Sequence, residues 1–176
     1  ANSRVYSVRA STWWQLGELD KAIADYSEAI RLEPAFSVFY NNRALVWRDK
    51  GDYDKAIADY DEAIRRDPKD VRAYANRGEI WRLKGDLDRA LADQDKQVRI
   101  SPRNANSYLT RGDTFRYRGE FERALADYDK TLIFELDSIP AYTGRGLTFE
   151  RLGNPARARA EFQKALASRS QNRSDV

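Results

Sequence analysis

Hydrophobic and small residues recur along the chain in two alternating blocks, each with helical spacing. In the first block a tyrosine, a small residue and a large aromatic residue are four and three positions apart, as in Tyr40, Ala44 and Trp47. Steps of four and three residues return to the same side of a 3.6-residue turn, so these residues form one face of a helix. The second block places Ala56 and Ala58 before further apolar positions, and it predicts a second helix that a neighbour can approach closely.

Both blocks repeat every 34 residues, and a glycine marks each repeat. The five glycines are Gly17, Gly51, Gly85, Gly119 and Gly153. Glycine suits the left-handed residue that ends a helix, and the aspartate or asparagine that follows three of these glycines can cap the next helix. Pro34, Pro68 and Pro102 close second helices in the same register, because proline cannot continue a helix. A fixed period in this range is typical of stacked helical repeats.

The 34-residue helix–turn–helix unit resembles the tetratricopeptide repeat, and the segment from Gly51 to Pro68 matches it best. The resemblance covers nearly the whole chain, and its phrases look similar to those of bacterial members. It implies a right-handed all-α solenoid of five units, at residues 3–36, 37–70, 71–104, 105–138 and 139–172, followed by a polar tail at 173–176. It also implies that the first helices of successive units line a concave groove.

One column departs from the family, which usually has leucine eight residues before the glycine. This chain has arginine there in every unit: Arg9, Arg43, Arg77, Arg111 and Arg145. The resemblance places the position against the packed interior, where an unpaired guanidinium is costly. Every unit also has an acid eight residues after the glycine: Asp25, Asp59, Asp93, Asp127 and Glu161. We expect the arginines to pair with these acids, within a unit or between neighbours, in a structural role; the alternative is that both columns are solvated.

Composition removes most catalytic and metal chemistry. The chain has no histidine and no cysteine, which excludes Ser–His–Asp and Cys–His catalysis and the usual zinc sites. The charges nearly balance, with 31 basic and 28 acidic residues, and this does not favour a nucleic-acid-binding protein. No apolar run is long enough to span a membrane. The sequence therefore predicts a soluble protein that is not an enzyme and uses no cofactor and no metal. It leaves the compartment open between cytoplasm and periplasm.

Positions that vary between the units are the candidates for ligand contact in the groove. Three residues before the glycine the middle units have Arg48, Arg82 and Arg116, and nine residues before it two units have Asn42 and Asn76. Arginine attracts carboxylates, and asparagine can hydrogen-bond a peptide backbone. The alternative for the two asparagines is ordinary solvated surface. The pattern predicts a groove that binds an extended protein segment with acidic side chains or a free C-terminus.

One branch of the family grips a C-terminal carboxylate with lysine, asparagine and arginine side chains from three units. When that motif is aligned with the first three units, Asn42 and Arg72 match it. When it is aligned one unit later, Asn76 matches it. Neither register is complete, so the sequence argues against this clamp. The peptide-binding candidates together are Asn42, Arg48, Arg72, Asn76, Arg82 and Arg116.

Two irregularities leave an alternative function open. Gln94 and Gln97 make the second helix of the third unit more polar where it should pack. Terminal repeats normally need a polar cap, and no further helix is predicted to cover the last unit. Either Arg157, Arg159 and Gln163 solvate this end, or it stacks on another copy, or the segment that covers it in the native protein has been removed. The second possibility makes a self-associating assembly module the alternative function. Single-stranded nucleic acid fits poorly, because the arginine line lacks interleaved exposed aromatic residues.

Overall fold

A computed structural model describes residues 2–174, with side chains as far as residue 168. Over this range the chain forms ten α-helices and no strands, which confirms the all-α prediction there. The helices are α1 (Ser3–Gln15), α2 (Leu19–Leu32), α3 (Ser37–Asp49), α4 (Tyr53–Arg66), α5 (Val71–Leu83), α6 (Leu87–Ile100), α7 (Ala105–Arg118), α8 (Phe121–Phe134), α9 (Ile139–Arg151) and α10 (Pro155–Ser174). Odd-numbered helices are the first helices of the repeats and even-numbered helices the second. The last two residues of the predicted polar tail, 175 and 176, lie outside the described residues.

The turn inside each repeat has the conformation that the sequence predicts. All five marker glycines have φ between 70° and 84°, a left-handed conformation that residues with a Cβ rarely adopt. Asp52, Asp86 and Asn154 then accept hydrogen bonds from the backbone N–H three residues further on, at 3.3, 3.0 and 3.2 Å. These N-cap bonds satisfy donors that a helix leaves unpaired. Glycine and cap together define the helical hairpin.

The helices group into two compact units, α1–α5 up to Gly85 and α6–α10 from Asp86 onward. In the first unit Tyr60 is fully buried in a cluster that includes Ala56 and Ala63. In the second unit Tyr128 is fully buried in a cluster with Ala124. Alanine lets helix backbones approach closely, and the tyrosine ring fills the space between neighbouring helices.

The arginine column is paired with the acid column inside both units. Arg43 donates from Nε and Nη2 to the two carboxylate oxygens of Asp59, both at 2.7 Å. The other observed pairs are Arg9–Asp25, Arg111–Asp127 and Arg145–Glu161, with closest distances of 2.6, 2.7 and 3.3 Å. All four acids are buried, and a buried carboxylate needs such a partner. The predicted pairing is confirmed in these four repeats.

Arginines of this column also reach the second helix of the preceding repeat. Arg111 Nη1 donates to Asp95 at 2.8 Å, so one guanidinium joins α6, α7 and α8. The equivalent contacts are Arg43 with Ser27 at 2.9 Å, Arg77 with Asp61 at 2.5 Å and Arg145 with Asp129 at 3.0 Å. The hydrogen bonds to Asp127 raise the pKa of Arg111, which stays charged at any physiological pH. The planar fork therefore works as a brace between repeats.

Gln94 takes the place that tyrosine has in three other repeats or phenylalanine in the last. Its side chain is buried, and Nε2 donates to Thr114 Oγ1 at 2.8 Å and to the Thr110 carbonyl at 3.2 Å, both on α7. The polar second helix of the third repeat therefore packs through hydrogen bonds instead of apolar contact alone.

Candidate functional site

The six candidate residues lie on three first helices. Asn42 and Arg48 are on α3, Arg72, Asn76 and Arg82 on α5, and Arg116 on α7, in the second compact unit. Arg72 and Arg82 are ten residues apart on α5, about 15 Å along the axis, so they do not share a contact point. The Arg72 side chain is largely exposed, and its Nε donates to Asp70, the N-cap of α5, at 3.3 Å.

Polar side chains from three helices meet around Tyr26, beside a small open cavity. The hydroxyl of Tyr26, from α2, lies 2.7 Å from Ser11 Oγ on α1, and Asn42 on α3 lines the same cavity. Burial raises the pKa of Tyr26 more than its polar neighbours lower it, so the hydroxyl is neutral at pH 7. Trp14 completes the lining of a cavity of about 340 Å³. We call Ser11, Trp14, Tyr26 and Asn42 the Tyr26 cluster.

Asp49 connects this cluster to Arg48. Trp14 Nε1 donates to Asp49 Oδ2 at 2.8 Å, and Arg48 donates from Nε and Nη2 to Asp49 Oδ1 at 2.9 and 2.7 Å. The carboxylate holds the indole of α1 against the end of α3. It also forms an ion pair with Arg48, so the positive charge of this arginine is partly neutralised.

The candidates on α5 have partners of the same kind within the first unit. Arg82 donates from Nε and Nη2 to the carboxylate of Glu79 at 2.8 and 2.5 Å. Asn76 Nδ2 is 3.5 Å from Asn41 Oδ1 on α3, at the outer limit of a hydrogen bond. The sequence places the arginines in one column but did not reveal that acids of the same helices accompany them.

Tyr128 forms a similar cluster in the second unit. Its hydroxyl donates to Asp113 Oδ1 at 2.7 Å and accepts from Arg116 Nε at 3.3 Å. Burial and the charge of Asp113 raise the pKa of Tyr128. A Cβ on Gly144 would lie 2.5 Å from Tyr128 Cζ, so glycine on α9 gives this ring its space. We call Asp113, Arg116 and Tyr128 the Tyr128 cluster.

Tyr60 differs from both of these tyrosines. Its ring is fully buried, and its hydroxyl has no hydrogen-bond partner among the described residues. The residue fifteen positions earlier is Ser11 or Asp113 in the two clusters, whereas it is Leu45 here. The sequence reasoning missed the role of the tyrosine hydroxyls. The sequence signal for this role is the residue six positions before the marker glycine. It is polar in the two clusters, as Ser11 and Asp113, and apolar beside Tyr60, as Leu45.

The Tyr26 and Tyr128 clusters combine neutral tyrosine hydroxyls with hydroxyl, carboxylate and guanidinium groups. A tyrosine with a raised pKa is protonated at neutral pH and is a poor base or nucleophile. Within residues 2–174 no group of three or more acidic side chains is placed to hold a metal ion. In the same range no helix combines the length and the apolar character needed to cross a bilayer. The clusters offer hydrogen-bond donors, acceptors and aromatic surface.

Comparison with protein families identifies the repeats. Family models described as tetratricopeptide repeat match residues 3–36, 41–105 and 109–173. A search of curated protein sequences gives no match.

Solved structures have the same fold at low sequence identity. The crystal structure of MamA is 22% identical, covers 94% of this chain and 96% of its own, and has a TM-score of 0.86. MamA 41-end from Desulfovibrio magneticus RS-1 is 17% identical, covers 96% of each chain and has a TM-score of 0.87. YrrB, described as a TPR protein with an unusual peptide-binding site, is 19% identical, covers 93% of this chain and 84% of its own, and has a TM-score of 0.77. The likeness confirms the predicted fold class, an all-α solenoid.

Proposed function

Since the chain belongs to the tetratricopeptide repeat family, we propose that it is a non-catalytic scaffold that binds an extended segment of a partner protein on its first helices. Stacked repeats present long surfaces to which an extended segment can bind. The similar structure of YrrB is described as having a peptide-binding site, and this supports the same class of function here.

The Tyr26 cluster is the observation that carries the proposal. An asparagine amide and a neutral tyrosine hydroxyl together donate and accept hydrogen bonds, as the N–H and C=O groups of a peptide backbone require. Both line the cavity of about 340 Å³, and Trp14 adds an aromatic wall. A side chain of the partner fits this space while its backbone meets Asn42.

Arg48 is the cation that we assign to an acidic group of the partner. It uses Nε and Nη2 on Asp49, and Nη1 is the remaining end of its fork. A carboxylate of the partner at Nη1 shares the guanidinium with Asp49 and makes a charge-assisted hydrogen bond. The acidic character of the partner and its attachment through a C-terminus or through side chains are parts of this proposal.

Peptides selected from a random displayed library against the wild-type chain test the binding surface. The selected peptides are synthesised with free and with amidated C-termini, and their affinities are measured by fluorescence polarisation. We expect Asn42→Ala and Arg48→Glu each to weaken binding at least about tenfold, a change of about 1.4 kcal/mol. Peptides whose acidic groups are amidated should bind more weakly to the wild type.

Arg31→Glu is the matched control. Arg31 lies on α2, is mostly exposed and pairs with Glu28 at 3.0 Å, so its reversal changes net charge by the same amount as Arg48→Glu. Binding should survive in this variant. Unchanged affinity in both Asn42→Ala and Arg48→Glu, or equal losses in Arg48→Glu and Arg31→Glu, would contradict the assignment.

A further inference from the structure

Trp14 breaks the pattern of its column in the repeats. The residue three positions before the marker glycine is charged in the other four repeats: Arg48, Arg82, Arg116 and Glu150. In the Tyr128 cluster the arginine at this position is 17% exposed, and its Nε lies 3.3 Å from the tyrosine hydroxyl. The first repeat instead has an aromatic ring, which lines a cavity of about 340 Å³. Tryptophan therefore replaces a charged group at this site.

The side chains that line this cavity are uncharged. Besides Trp14 they are Ser11, Gln15, Tyr26 and Asn42, and the raised pKa of Tyr26 keeps its hydroxyl protonated at pH 7. A charged side chain that entered the cavity would lose water and would meet no opposite charge among the lining residues. The lining therefore favours an uncharged side chain.

The two hydroxyl groups of the lining already have partners. Ser11 Oγ donates to the carbonyl oxygen of Ser7 at 3.1 Å. Because a hydroxyl has one hydrogen, the contact of 2.7 Å between Ser11 and Tyr26 has the Tyr26 hydroxyl as its donor. Both hydroxyl hydrogens are used within the protein, so an apolar side chain in the cavity leaves neither of them unpaired.

Asp49 fixes the orientation of the Trp14 ring. The indole Nε1 donates to Asp49 Oδ2 at 2.8 Å, and this bond uses the one hydrogen-bond donor of the ring. The indole therefore offers its apolar surface to the cavity. An aromatic side chain can pack on this surface in an offset or edge-to-face arrangement, which is favoured beyond the area that it buries.

A lysine or arginine of the partner is the main competitor for this place, because a cation can also lie over an indole ring. The carboxylate beside the ring already has its partners. Asp49 Oδ1 accepts from Arg48 Nε and Nη2 at 2.9 and 2.7 Å, and Oδ2 accepts from Trp14. An incoming cation would also approach the Arg48 guanidinium, which shares this carboxylate. The arrangement therefore favours an aromatic side chain over a cation.

We propose that the cavity beside Tyr26 binds an uncharged aromatic side chain of the partner protein, packed on Trp14, and that Trp14 sets this preference. The inference rests on the proposed function, because it names the class of residue that enters the cavity when the partner backbone meets Asn42. Arg48 remains the contact for an acidic group elsewhere in the same segment. The partner segment therefore contains an aromatic residue as well as an acidic group.

Double-mutant cycles identify the partner residue that enters the cavity. The host is a library-selected peptide that Asn42→Ala weakens, and each of its residues is replaced by alanine and measured against the wild type and Trp14→Ala. Phenylalanine, leucine, glutamate and lysine are then placed at the peptide position that couples to Trp14. In fluorescence polarisation the phenylalanine peptide should bind about threefold more tightly than the leucine peptide. It should bind at least about tenfold more tightly than the glutamate and lysine peptides.

Trp14→Arg tests whether Trp14 sets the preference, because it introduces the residue that three other repeats have at this position. It should raise the affinity of the glutamate peptide relative to the phenylalanine peptide at least about tenfold. Trp14→Phe, which keeps an aromatic ring, should keep the wild-type ranking. Thr12→Arg is the matched control, because it adds the same charge at an exposed position of α1 that does not line the cavity. It should also leave the ranking unchanged.

Three results overturn the inference while the proposed function stands. In the first, no residue of the host peptide couples to Trp14. In the second, the leucine, glutamate or lysine peptide binds as tightly as the phenylalanine peptide. In the third, Trp14→Arg keeps the wild-type ranking or changes it no more than Thr12→Arg does. Peptide binding that is insensitive to both Asn42→Ala and Arg48→Glu instead refutes the proposed function, and the inference with it.

Discussion

Replacing Arg111 by leucine, the residue that the family usually carries there, measures how much the arginine brace contributes to stability. Removing one partner of a fully buried ion pair costs about 3–5 kcal/mol, because the other charge is left uncompensated. Side-chain exposure is 18% for Arg111 and 7% for Asp127, so water still reaches part of the pair and the cost is reduced. We expect Arg111→Leu to lower the free energy of unfolding by about 2–3 kcal/mol.

The double variant Arg111→Leu/Asp127→Leu separates an uncompensated charge from lost packing. With both charges removed and two leucines in their place, the free energy of unfolding should return to within about 1 kcal/mol of the wild type. Asp95, the other partner of Arg111, is 40% exposed and can be hydrated instead. Arg9→Leu is the internal comparison, because Arg9 is 56% exposed and water can reach Asp25 once the guanidinium is removed. Its loss should be smaller than that of Arg111→Leu.

Urea unfolding followed by both far-ultraviolet circular dichroism and tryptophan fluorescence is the assay. Two probes are needed because a repeat array can unfold in parts, and a single free energy applies only where the transitions coincide. If Arg9→Leu and Arg111→Leu cost the same, burial does not set the contribution of the brace. If the double variant is as unstable as Arg111→Leu alone, the stranded carboxylate is not the cause of the loss.

Two further pairs of variants test the tyrosine column. Tyr60→Phe should leave the free energy of unfolding unchanged or raise it by up to about 1 kcal/mol, since it removes a buried hydroxyl without a partner. Tyr128→Phe should lower it by about 1 kcal/mol, since Asp113 loses a 2.7 Å hydrogen bond; urea unfolding in the reverse order would contradict this reasoning. Gly144→Ala should lower it by about 1–3 kcal/mol, because its Cβ would lie 2.5 Å from the Tyr128 ring. Gly112→Ala should be near neutral, because the nearest atom is 3.0 Å away and alanine favours the helix; equal thermal shifts in the two variants would show that the ring adjusts freely.

The sequence predicts the helices and their caps because those depend on local spacing. The position of Gly51 and the oxygen of Asp52 are enough to predict a turn and an N-cap, and both are observed. The pairing of Arg43 with Asp59 also follows from the sequence, because two columns of opposite charge recur together near a buried face. The contact between Arg43 and Ser27 does not follow. That contact depends on the distance between the second helices of neighbouring repeats. The 34-residue spacing of the sequence does not give this distance.

The candidate site is less accessible to sequence reasoning. Helical spacing places Asn42 and Arg48 on a first helix, as observed. It does not reveal that Tyr26 and Asn42 line one cavity, because that arrangement joins two repeats through a tyrosine that the spacing assigns to the core. Helical spacing also does not predict that Arg48 pairs with the adjacent residue Asp49, because that contact depends on the side-chain rotamers of the two residues at the end of α3.

The arginine braces bear on how such a chain can change length by gene rearrangement. In the first, second, fourth and fifth repeats the second helix carries the acid that pairs with the arginine of its own first helix. The second helices of the first four repeats also carry a partner for the next arginine. Deletion of residues 37–70 would bring Arg77 opposite Ser27, the partner that Arg43 has now, and would remove Asp59 together with Arg43. Gain or loss of a complete 34-residue unit therefore strands no buried charge, whereas a break within a helical hairpin separates an arginine from its carboxylate. The charge pattern makes the whole repeat the smallest segment that can be duplicated or lost without penalty.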